Sequence, residues 1–256
     1  MLASLWATPP AVRVSLSLLL VGLAWLGGNW AYHTWHKPTE LFFPLERSLF
    51  KTPRETWHQY GALFQTHSTK TITPELLAAL AQSEGSGNPV ARTYWRWEAS
   101  PNPLQIYKPA SSAVGMYQIT DATFREAQRY CIHDHEVVAE GSWNEVKSCW
   151  FNSLYFRVVP SHAVELTSAF LDRSVAGALA KRRGRATLRQ KQDLAAIIHL
   201  CGAGAGQSYV GRGFRLTRGQ RCGDHDVRAY LSRIHALTAQ FRQLAAGSSP
   251  SSLVQR

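Results

Sequence analysis

Thr73-Pro74-Glu75-Leu76-Leu77-Ala78-Ala79-Leu80-Ala81-Gln82-Ser83-Glu84-Gly85-Ser86-Gly87-Asn88-Pro89 decides how the chain reads. Thr73 is a good N-cap, because its hydroxyl can accept from a free N–H of the first turn. Pro74 suits the first helical position, where its missing N–H costs nothing. Leu76, Leu80 and Glu84 then fall at i, i+4 and i+8, on one face. Gly85 and Gly87 stop the helix. The stripe that faces the core therefore ends in a carboxylate. A carboxylate there is expensive unless paired or protonated. The negative end of the helix dipole also disfavours it. Both effects favour the acid form, which a general acid working near neutral pH needs. Glu84 is the candidate catalytic residue. The plainer alternative is a surface Glu at a frayed helix end, or one paired with an arginine.

Helical patterns continue downstream. One helix begins near Asp121, which reads as its N-cap. Another follows Pro160, with Ser161 as cap and Ala163, Leu166 and Phe170 on its apolar face. Asp193 to Cys201 is a third, ended by the Gly202-to-Gly206 run, and Val227 to Leu244 is a fourth. Few segments alternate with period two, so the fold class is mainly α. Residues 39–72, with Pro44 and Pro53, read as a connector, 73–246 as the principal domain, and 247–256 as a small, polar, disordered tail. Between the first helix and Asp121 runs a loop rich in aromatics and proline, with Trp95, Trp97, Pro101, Pro103, Tyr107 and Pro109. It is a candidate carbohydrate platform, with a lid or a partner surface as alternatives.

Residues 1–38 hold a different signal. Val14 to Gly28 is apolar and uncharged, with Trp25, Trp30 and Trp35 at its far end. Its length approaches the roughly 20 residues a bilayer helix needs, and tryptophans suit the membrane interface. A cleaved signal peptide begins the same way, but no A-x-A-like site closes the segment. An uncleaved anchor is expected. The flanking charges run against a periplasmic domain, since Arg13 precedes the span while Lys37, Arg47, Lys51 and Arg54 follow it.

The 256-residue chain carries 28 Lys and Arg against 17 Asp and Glu, a formal charge of +11. A positive surface draws polyanions, and nucleic acid, anionic lipid and acidic bacterial wall all qualify. The basic cluster Lys181-Arg182-Arg183-Gly184-Arg185 lacks any base-reading motif beside it, so no nucleic acid partner is expected. Cys131, Cys149, Cys201 and Cys222 contain no CxxC pair. At least one disulfide is expected if the domain is exported, with three pairings open. His133-Asp134-His135 reads as an exposed turn, and neither metal nor cofactor is expected.

Ser83-Glu84-Gly85-Ser86-Gly87-Asn88-Pro89 followed by Gly115-Met116-Tyr117-Gln118-Ile119-Thr120-Asp121-Ala122-Thr123 resembles the soluble lytic transglycosylase family. That family carries its catalytic Glu in an E-S-x-x-N-P motif, followed by G-L-M-Q-[LI]-x-P-x-T. Glu84, Asn88 and Pro89 match the first, with Gly85 for Ser. Gly115, Met116, Gln118 and Thr123 match the second, with Tyr117 for Met and Asp121 for Pro. The third motif, A-Y-N-A-G, is altered: His199 stands for Tyr and Leu200 for Asn. Tyr230 corresponds to the late family tyrosine. The resemblance covers roughly residues 73–240.

It implies a lysozyme-like α domain with a sugar-binding cleft, preceded here by a membrane helix. It implies peptidoglycan glycan strands as substrate, an inner-membrane protein with its domain in the periplasm, and no cofactor. Glu84 would protonate the bond between N-acetylmuramic acid and N-acetylglucosamine. It would then activate the C6 hydroxyl of the muramyl residue, giving a 1,6-anhydro product. Gly115 would let backbone approach a sugar closely, and Gln118 offers both donor and acceptor to an N-acetyl group. Met116 and Tyr117 would pack beside a ring. His199 and Tyr230 would tune the proton affinity of Glu84. Two other functions fit the same residues. One is a lysozyme-like hydrolase using Asp121 to position water. The other is a non-catalytic wall-binding or secretion-assembly protein with cell-envelope partners.

Overall fold

The computed structural model describes residues 9–139, 141, 148–180 and 185–247. Lys181 to Gly184 of the basic cluster and residues 248–256 of the expected tail lie outside them. The chain is mainly α, as expected. It divides into two compact units, Leu45–Arg92 with Ala113–Arg256, and Met1–Pro44 with Thr93–Ser112.

The larger unit is built around one buried helix. After α1 (Pro10–His36) and a 3₁₀ segment (Pro38–Leu49), helix α2 (Pro53–Thr66) occupies the stretch that read as connector. Thr52 and Glu55 form a reciprocal capping box at its start. Trp57, Tyr60 and Phe64 are buried at helical spacing. Helix α3 (Pro74–Gly85) begins as the sequence predicts, with Thr73 Oγ1 accepting from the Leu76 N–H. Its burial is wider than one face: every residue from Leu76 to Ala81 is buried. The three alanines among them leave room for neighbours on the remaining sides. Its most extensive packing is against α8 (Val227–Gly247).

The other helices sharpen or correct the sequence pattern. Helix α4 (Asp121–Ala127) is capped by Thr120, whose hydroxyl accepts from the Thr123 N–H, so Asp121 is not the N-cap. Asp121 stands one residue later, where its charge suits the positive end of the helix. Helix α5 (Pro160–Leu179) has Val159 before it and no side-chain cap; Ser161 already lies inside. Helix α6 (Leu188–Cys201) starts ahead of Asp193 because Thr187 and Gln190 form a capping box. Gly202 ends it, but the glycine run that follows opens helix α7 (Ala203–Gly211) instead of a loop.

Two small hairpins complete this unit. Strands β3 (Tyr130–His133) and β4 (Glu136–Ala139) pair antiparallel, with Asp134 and His135 at positive φ in the turn. The His-Asp-His sequence is thus a hairpin turn, and among the described residues no cluster suited to a metal ion occurs. Strands β5 (Arg221–Cys222) and β6 (His225–Asp226) form the other. All four cysteines are paired, Cys131 with Cys149 and Cys201 with Cys222.

One buried acid in this unit left no trace in the sequence pattern. Glu165 of α5 accepts from the Ile132 N–H at 3.0 Å and from the Tyr155 hydroxyl at 2.8 Å, and His67 lies 3.8 Å away. It joins the β3 hairpin to α5, so its role is to satisfy buried donors.

In the smaller unit α1 is long enough, and over most of its length apolar enough, to cross a membrane. The aromatic loop folds into a hairpin, β1 (Trp95–Trp97) against β2 (Tyr107–Pro109), with Trp97 opposite Tyr107.

Candidate active site

The site begins at the C-terminal turn of α3. Ser86 is the left-handed C-cap, at φ 49°. Gly85 is helical, and its hydrogen replaces a methyl that would sit 2.8 Å from the Met116 Cα. The end of α3 therefore rests directly on the backbone of the second motif. This is a local reason for glycine where the family pattern has Ser.

Glu84, half-buried, projects from this turn. Its Oε1 accepts a hydrogen bond from the Tyr230 hydroxyl at 2.6 Å, across 146 residues of chain. Tyr230 is buried on α8. Burial, the Glu84 charge and this bond together push its phenol well above the ordinary tyrosine range. The hydroxyl thus stays a donor at any physiological pH. His199, on the last turn of α6, is also within electrostatic reach of Glu84. Burial lowers its pKa, while the Glu84 charge and a hydrogen bond to the Tyr117 carbonyl pull the other way. The net shift is downward, so the ring is neutral near pH 7.

The second motif is a tight turn. Gly115 lies at φ 81° and Gln118 at φ 48°. A side chain on Gly115 would meet the Arg157 carbonyl at 2.6 Å, so the close approach that requires glycine is to Arg157. The Gln118 side-chain amide donates to the carbonyls of Ala91 at 3.1 Å and Gly115 at 2.9 Å. Its NH₂ stabilises the turn, which leaves its oxygen as the group for an external donor. Met116 and Tyr117 are fully buried. Their side chains support the site from the core and offer no face to a sugar ring, unlike the sequence expectation. The cause is the turn itself, which directs both inward beneath α3.

A pocket of about 250 Å³ lies beside this turn, lined by Gln118, Thr120, Thr123, His199, Leu200 and Gly202 among others. It joins the second motif to the altered third one. Leu200 contributes an apolar wall where the family pattern has an amide. Asp121 is half-exposed and ion-paired with Arg157 at 2.7 Å, and Arg157 also donates to the Ile119 carbonyl. Trp95, Trp97 and Tyr107 belong to the smaller unit.

Glu84 accepts from a buried tyrosine, and His199, within its electrostatic reach, lines the pocket; a half-buried carboxylate so held can release a proton and take it back. Residues 62–139 match the family model of the transglycosylase SLT domain. This stretch therefore carries a domain of the soluble lytic transglycosylase, lysozyme-like type, whose general activity is cleavage of peptidoglycan. The match includes Glu84 and the second motif and ends before His199 and Tyr230. No curated protein matches the chain.

Proposed function

We propose that this protein is a membrane-anchored lytic transglycosylase that uses Glu84 as its only acid and base. Glu84 protonates the glycosidic oxygen between N-acetylmuramic acid and N-acetylglucosamine, and the C1–O bond breaks. The substrate's own N-acetyl group stabilises the positive centre left on the muramyl ring. Glu84, now a carboxylate, takes the proton of the C6 hydroxyl on that ring as its oxygen bonds to C1. The products are a free N-acetylglucosamine end and a 1,6-anhydromuramyl end, with no water consumed.

The observation that carries this reading is the 2.6 Å bond from Tyr230 to Glu84. It fixes the carboxylate rotamer through a donor that stays protonated. His199 and the Gln118 oxygen, with Thr120 and Thr123, are polar groups that the pocket lining can offer a sugar. Asp121 is engaged with Arg157, which favours a one-carboxylate mechanism over a second acid that positions water.

The anchor is α1, with the catalytic unit in the periplasm of a single-pass inner-membrane protein. A helix long and apolar enough to cross a membrane supports the first part. Two disulfides support the second, since such bonds persist in oxidising compartments. The test is mass spectrometry of the muropeptides released from purified sacculi. Anhydromuramyl ends, lighter by one water than reducing ends, are expected. Reducing ends alone would establish a hydrolase.

A further inference from the structure

The hairpin inserted between the two motifs is fastened to the last turns of α1. Asn29 Nδ2 donates to the Tyr107 carbonyl at 2.7 Å, and His33 Nε2 to the Leu104 carbonyl at 2.7 Å. Trp25 stacks on Trp97 with ring centres 6.1 Å apart. Strand alternation places Trp95 and Trp97 on one hairpin face and Arg96, opposite Lys108, on the other.

The depth of this contact is set by the helix. Arg13 is the last charged side chain before the apolar run, and Lys37 is the next. From Val14 to Trp25 the axial rise is about 17 Å, at roughly 1.5 Å per residue. A hydrocarbon core is about 30 Å thick. Residues 14–24 therefore cannot cross a bilayer alone, and a span that starts at Val14 takes in the turns from Trp25 to about Thr34 as well. Those turns carry Asn29 and His33, and they are the turns the hairpin covers. A bilayer spanned by α1 meets the hairpin before it ends.

We propose that the hairpin spanning residues 93–112 is itself a membrane-embedded element, seated in the interface of the leaflet at the C-terminal end of α1. This rests on the membrane-anchored reading of α1 given above. The occupant of its open surface is phospholipid. Trp97 and Tyr94 are about two-thirds exposed, and Phe43 of the following 3₁₀ segment is 60% exposed. Trp and Tyr rings of this kind favour the boundary between acyl chains and headgroups. The face opposite Trp97 offers Arg96 and Lys108, bridged by Glu98 at 2.7 and 3.2 Å. That face carries a net positive charge toward the phosphates. Meanwhile the hairpin carbonyls satisfy Asn29 and His33, whose donors would otherwise face lipid without partners. A carbohydrate platform needs none of these depth relations.

The test uses the full chain in vesicles of phosphatidylethanolamine and phosphatidylglycerol that carry radiolabelled lipid. A benzophenone side chain is placed at Leu19, Tyr94, Trp97 or, for background, Leu188 in the larger unit. After irradiation, lipid labelling at Tyr94 and Trp97 should exceed the Leu188 background several-fold and approach that at Leu19. Labelling at Leu19 with only background at both Tyr94 and Trp97 would overturn the proposal and leave the anchor standing. Background at Leu19 as well would overturn the anchored reading itself.

Discussion

The two units use the same apolar residues in opposite ways. In the larger unit Leu76, Leu77 and Leu80 are sealed on every side. In the smaller unit Leu18, Leu19 and Leu20 are more than half exposed. Helices α1 and α3 are both apolar nearly all round, so composition does not separate them. What separates them is the partner. Helix α3 is surrounded by other helices of its own unit, whereas within the smaller unit α1 meets a hairpin near its end and its leucines stay largely exposed. An apolar helix states only that it must leave water, and the rest of the chain decides whether it leaves for a core or for a bilayer.

Each of the following changes should act on one unit and spare the other. The largest effect is expected from Glu84→Gln. Loss of general acid–base help costs about 10²–10⁴-fold. In the proposed mechanism one group serves both proton transfers, so turnover of sacculi should fall by the upper figure or more, with vesicle binding unchanged. Substantial turnover by the folded variant would end the one-carboxylate mechanism. Next is a matched pair of truncations. Leu80→Ala should destabilise the larger unit by about 2–5 kcal/mol, the usual cost of a buried Leu-to-Ala change, whereas Leu19→Ala should leave its thermal unfolding unmoved. Equal shifts in calorimetry would mean that α1 is packed as a core helix.

Cys201→Ser with Cys222→Ser removes a link across 21 residues. The expected loss is about 3 kcal/mol by loop-closure entropy, read from denaturant unfolding of the larger unit. Tyr230→Phe removes the donor to Glu84. A hydrogen bond to a charged group contributes about 1.5–3 kcal/mol, so kcat should fall roughly tenfold or more, with a shifted pH–rate profile and little change in KM. An unaltered profile would reduce Tyr230 to packing.

The smallest effect is in acid. Burial pushes His67, His162 and His199 below the usual histidine value of 6.5. The unfolded chain then takes up protons that the folded chain resists. Stability should therefore decline as pH falls through about 6.5, and be insensitive to these groups above it. Thermal melts between pH 7.5 and 5 would show it, with a shallower slope in His67→Gln.

Much of the larger unit is legible because its signals are local. Thr73 and Pro74 announce α3, Gly202 ends α6, and Glu84 falls on the right face by counting alone. What escapes counting depends on partners distant in sequence. Helix α2 hides in a stretch with two prolines, although Thr52, Pro53 and Glu55 spell a helix start. Met116 and Tyr117 look available to a sugar until the turn at Gly115 buries them. The glycine itself answers to the Arg157 carbonyl, which no spacing reveals. The aromatic loop is the sharpest case. Its residue types fit a sugar platform and a membrane interface equally well, and only its contacts with Asn29 and His33 show that it belongs with α1.

The chain passes between the two units three times, at Pro44–Leu45, Arg92–Thr93 and Ser112–Ala113. An enzyme tethered by a single linker can be shed by one proteolytic cut. Here a nick after Pro44 would split the polypeptide yet release nothing. The fragment containing α1 would stay clasped through Asn29 and Tyr107, through His33 and Leu104, and through Lys37 and Ser111. Shedding would require excision of the hairpin as well, which severs the polypeptide between Asn88 of the first motif and Gly115 of the second. For the anchored enzyme proposed above, the route to free diffusion therefore passes through a cut between its two motifs.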